Sequence, residues 1–157
     1  MYISPMDEKT KFQTTFELAE KLHRTMVYGI FIYPLFVAMA ESFNWGIFHF
    51  LNFETMKSMG LVFMILTIVF FPLTYAIEAL FIRGCLDFGK LGKRLLYAEI
   101  ANMTMSEAIT IFGLVIYLTS ANLKFFYLFF VISFVHLLTL RPKKKKWQKR
   151  LNDISVH

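Results

Sequence analysis

Apolar residues along this chain fall into four long blocks, at about 26–43, 59–82, 105–119 and 123–140. Within the blocks they recur neither every second residue nor every 3.6, the pattern of helices surrounded by lipid rather than of amphipathic elements on a water-soluble core. A helix rises about 1.5 Å per residue and needs about 20 residues to cross about 30 Å of hydrocarbon, so the second and fourth blocks suffice alone. The first and third draw on their flanks, Asn44-Trp45 and residues 101–103, which gives spans at about 26–45, 59–82, 102–119 and 123–140. The expected fold is all-α: an integral membrane four-helix bundle forming one domain over residues 1–157.

Ahead of the first span, Phe12, Phe16, Ala19, Leu22 and Met26 recur at helical spacing, while Glu17/Lys21 and Glu20/Arg24 form i,i+4 pairs in the favourable order. Residues 4–25 therefore predict an amphipathic helix lying along the interface, with Ser4 as N-cap and Pro5 at the first helical position. Thr104-Met105-Ser106-Glu107 has the form of a capping box opening the third span, which makes Glu107 structural. Pro34 and Pro72 fall inside spans and predict kinks. The turn Thr119-Ser120-Ala121-Asn122 predicts an antiparallel hairpin of spans three and four, with Asn122 as the left-handed residue.

Composition agrees with lipid burial, since 57% of the 157 residues are hydrophobic and 19 are Phe, more than a small water-soluble fold has interior to hide. Lys and Arg number four before the first span, four in the stretch 83–104 and seven in the basic tail 141–157, against one each in the two remaining connections. The positive-inside rule places both termini in the cytoplasm, which requires an even number of spans. The first sixteen residues hold Asp7, Glu8, Lys9 and Lys11 and no apolar h-region, so a cleaved secretory signal is not expected. Cys85 is the single cysteine, too few for an internal disulfide or a Cys-based zinc site.

Two ionisable residues lie deep enough in the spans to need an explanation, Glu78 and His136, each five residues before an Arg and so about 7.5 Å below its boundary. With Thr74, Tyr75 and Ser133 they form the polar intramembrane cluster expected to serve as an ion or proton site, or else to hold neighbouring helices together by hydrogen bonds. Glu41, His49 and Trp45 belong to the outer interface and His23 to the amphipathic segment. One intramembrane histidine does not support a two-histidine haem. Neither the GxxxxGK[ST] phosphate loop nor any hydrolase or metal motif occurs, so neither an enzyme nor a cofactor is expected. Lys90, Lys93 and Arg94, and Lys143, Lys144, Lys145 and Lys146 in the tail, suit contact with anionic headgroups or a partner protein; nucleic acid is not expected.

The runs Tyr75-Ala76-Ile77-Glu78-Ala79-Leu80, Gly89-Lys90-Leu91-Gly92-Lys93-Arg94-Leu95-Leu96 and Ser106-Glu107-Ala108-Ile109, followed by Leu151-Asn152-Asp153 after the basic stretch, resemble the RDD family of small bacterial membrane proteins. The resemblance covers about half of the chain, in the family's order, and implies a β-like run at Ile154-Ser155-Val156 and a place in the bacterial inner membrane. Arg24 stands for the Arg before the family's first span, but apolar Phe31 replaces the Asp expected next, and span three carries no Arg. Sodium or proton transport is attributed to members of that family. Two functions are therefore expected in order: a non-catalytic subunit of a membrane complex or homo-oligomer, then an RDD-like cation/proton exchanger with Glu78 as carrier and His136 as partner.

Overall fold

The computed structural model describes residues 5–43, 45, 52–83 and 88–155; Ser4, Asn44, His49, Cys85 and Val156 lie outside them. The described residues form six helices: α1 (Pro5–Gly29), α2 (Ile32–Ser42), α3 (Phe53–Ile82), α4 (Phe88–Ser120), α5 (Leu123–Thr139) and α6 (Lys144–Ser155). Three stretches are long and apolar enough to cross a membrane: Thr10–Ser42, which joins α1 to α2, Glu54–Ile82 and Lys90–Ser120. Taken with α6 across a bend of 49°, α5 makes up to four.

The central element is α4, which packs against α1, α3, α5 and α6. In its most apolar stretch 44% of residues are buried, against 17% in each of the other two spanning stretches, so α2 and α3 turn most of their side chains outward. Ile65, Ile68 and Val69 of α3 and Ile32 and Leu35 of α2 are among the large apolar side chains left exposed, as lipid contact requires. Between α4 and its neighbours lie Ile109, Ile116, Phe129 and Met56 in one cluster and Val37, Ala40, Tyr117 and Phe126 in another. Phe63 of α3 stacks on Phe112 of α4 with ring centroids 4.6 Å apart.

Several local expectations are corrected. The stretch 83–104 is helical from Phe88, and α4 runs without a break to Ser120, so Thr104 is no cap and its hydroxyl donates to the Ile100 carbonyl at 3.0 Å. Leu91, Leu95 and Ala98 share one face with Asn102, and burying that face against α1 and α6 extends the helix about four turns ahead of the expected span. Ahead of the first span, α1 does not stop at residue 25 but continues to Gly29, and it buries Ala19 against Leu91, Leu95 and Trp147 instead of resting only on an interface.

The break falls at Ile30-Phe31, because Pro34 lacks the N–H that would bond the Ile30 carbonyl; Tyr33 N–H takes that carbonyl at 3.3 Å, and Leu35 N–H resumes the ladder to Phe31 at 3.2 Å. By contrast α3 passes through Pro72 as one helix. In the α4–α5 turn the left-handed residue is Ala121, at φ 53°, while Asn122 caps α5 by accepting the Phe125 N–H at 3.1 Å. Ile154 and Ser155 belong to α6 and not to a β-like run.

Candidate functional site: two polar layers in the bundle

The inner layer lies between α4 and α5. Four polar residues of α4, Glu99, Asn102, Ser106 and Thr110, recur at steps of three or four and so share a face. Ser106 is fully buried, and its hydroxyl lies 2.7 Å from Nδ1 of the buried His136 of α5. Ser133, one turn earlier on α5, donates to the backbone carbonyl of Ser106. Phe71 of α3 covers the imidazole, with ring centroids 4.3 Å apart. Each of these bonds joins two helices, which is how polar side chains hold a bundle together where apolar burial gives no preference between lipid and protein.

Toward the α6 end lies the second layer. Glu78 of α3 ion-pairs with Lys146 and, at 3.6 Å, with Arg150, both on α6. Glu99 accepts a long 3.5 Å hydrogen bond from the Trp147 indole, also of α6. Trp147 is buried between Phe12, Phe16, Leu91 and Leu95, so the α6 that follows the 49° bend is seated against α1 and α4 by one aromatic anchor and held to α3 and α4 by the carboxylates of Glu78 and Glu99. Thr74 is buried and spends its hydroxyl on the Phe71 carbonyl at 2.8 Å, whereas Tyr75 is exposed.

Glu78 and His136 therefore have separate partners. In place of a bond between them, ion pairs join Glu78 of α3 to α6 and a hydrogen bond joins His136 of α5 to α4. Glu107, expected as a helix cap, instead accepts the Tyr33 hydroxyl at 2.6 Å and ties α2 to α4; Glu41 does the same farther along through Tyr117 at 2.8 Å. His23 is buried rather than interfacial, with Nε2 2.9 Å from the Leu137 carbonyl; a carbonyl only accepts, so that nitrogen carries the proton.

Among the basic residues expected at headgroups, Arg94 donates to the carbonyls of Phe81 and Arg83 at 3.4 and 3.2 Å and so caps the end of α3. Lys90, Lys93, Lys143, Lys144, Lys145 and Lys146 are exposed, Lys146 while reaching Glu78. Sequence reasoning missed Glu99 and Asn102 because it began the third span at residue 102, which left Glu99 ahead of the helix and Asn102 at its very end. Their spacing with Ser106 and Thr110 is the signal that would have found them once α4 is extended.

No known protein family, curated protein or solved structure matches the chain.

Proposed function

We propose that this chain is a four-span protein of the bacterial inner membrane, with both termini cytoplasmic, acting as a non-catalytic subunit or accessory component that packs on itself or on a larger membrane complex. The observation that carries the reading is how the bundle uses its polar groups: Glu41, Glu78 and Glu107 are each bonded to another helix, as are His23 and His136. Such an arrangement supports a scaffold, because a carrier needs a carboxylate free to exchange its ligand. The broad apolar faces of α2 and α3 supply the surface on which partner helices or a second copy would pack.

An RDD-like cation/proton exchanger is the second reading, supported by the cavity that Glu78 and Glu99 border together. One experiment separates the two. The chain is extracted from its native membrane in mild detergent and weighed by native mass spectrometry, and it is also reconstituted alone in proteoliposomes with an imposed pH gradient. A subunit is expected to emerge above 18.5 kDa as a stoichiometric assembly and to leave the gradient unchanged. A flux that Glu78→Gln abolishes without loss of assembly would overturn the subunit reading in favour of exchange.

A further inference from the structure

Between α3, α4 and the α5–α6 corner lies a cavity of about 130 Å³ with a lining of mixed sign. Its buried part is made of acceptors. Asn102 is 4% exposed and its Oδ1 has no hydrogen-bond partner among the described residues; Glu78 Oε1 lacks one too, since Arg150 stands off at 3.6 Å. Glu99 adds a carboxylate whose bond to Trp147 is long. Exposed Tyr75, Arg141, Lys143 and Lys146 also line it, together with Thr74, Thr139 and Leu140, and Arg141 lies 3.6 Å from Glu20 as well.

Neither sign of simple ion suits this arrangement. A bare cation would compete with the Lys146 ammonium already on Glu78 and would face Arg141 and Lys143 as well; a bare anion would face Glu78 and Glu99. A group with an ammonium at one end and a phosphate at the other meets both parts. Its ammonium brings three N–H donors to acceptors that are costly to leave unbonded when buried. The phosphate reaches the Arg141 guanidinium and the Lys143 ammonium. A quaternary choline head has no N–H and leaves Asn102 unsatisfied.

We propose that this cavity binds a phosphoethanolamine group, ammonium toward Asn102 and Glu99 and phosphate toward Arg141 and Lys143, while Lys146 keeps its place on Glu78. The group arrives either on a phospholipid of the adjoining leaflet or as a soluble phosphoester. The proposal holds for a subunit and for an exchanger alike, because it concerns what fills this cavity and not what crosses the bilayer.

The test is native mass spectrometry of the intact chain equilibrated with equal amounts of phosphatidylethanolamine, phosphatidylcholine and phosphatidylglycerol of matched acyl chains. The ethanolamine lipid is expected to be retained about tenfold over the other two, the order set by leaving buried acceptors without donors. Asn102→Leu should remove that preference and Asn102→Asp, which keeps an acceptor, should retain it. Displacement of the lipid by millimolar O-phosphoethanolamine assigns the site to the phosphoester itself; retention of the lipid under the same challenge assigns it to the membrane-borne headgroup. Equal retention of ethanolamine and choline lipids overturns the proposal, and so does preference for the glycerol lipid, which marks a plain basic surface. Both readouts come from the unaltered chain and do not depend on whether the Asn102 variants fold.

Discussion

Gly113 shows how closely α4 and α5 approach each other. A Cβ built there would lie 2.8 Å from Phe129 Cβ and 3.0 Å from the Phe126 carbonyl oxygen, a backbone atom that moves only if the helix moves. Gly113→Ala should therefore push the helices apart and weaken the bundle by about 1–3 kcal/mol, the usual cost of overpacking. Thermal unfolding in detergent reads it as a lowered Tm. Gly29→Ala is the matched control, since nothing lies within 4 Å of its added methyl, and should leave Tm unchanged or slightly raised. Equal melting of the two variants would count against the close approach. At this scale sequence identified which polar residues needed an explanation but not their partners. The chain shows that His136 is too deep to be solvated; that Ser106, thirty residues away, holds its Nδ1 is a consequence of how α4 and α5 meet.

Among the elements, the α1–α2 break has one chemical cause, the missing N–H of Pro34. Pro34→Ala should let residue 34 donate to the Ile30 carbonyl and fuse the two helices. Hydrogen exchange measured by mass spectrometry should then slow over residues 30–35, and unchanged exchange there would assign the break to packing instead. Pro72, also within a span, leaves α3 continuous, so proline alone does not decide. Where a helix begins proved still less legible. The Thr104–Glu107 letters have the form of a cap yet stand inside α4, because Leu91, Leu95 and Ala98 have a buried face to occupy against α1 and α6. In the same way α6 was legible as a basic tail, while its helical seat depends on Trp147 reaching Phe12, Phe16 and Leu95, residues far away in the chain.

For the whole molecule the testable quantity is which side each connection faces. Fifteen Lys and Arg on one side and two on the other predict that residue 48 is external and residue 145 cytoplasmic. With Cys85 replaced by Ser, an impermeant maleimide should label Phe48→Cys in intact cells and Lys145→Cys only after permeabilisation; the reverse pattern would overturn the orientation. Sequence by itself determined that the chain is helical and carries stretches able to cross a membrane, because backbone satisfaction in hydrocarbon leaves a long apolar run little choice but a helix. It determined as well which few polar residues lie within those stretches, since burial depth follows from position along a helix. Only the tertiary structure decided that α4 is central, that Glu78 answers to Lys146 and Arg150 while His136 answers to Ser106, and that Asn102 borders a cavity. Those outcomes depend on which helix faces meet, and where apolar residues surround a spanning helix no apolar period marks one face as inward; close packing and a handful of interhelical bonds make that choice.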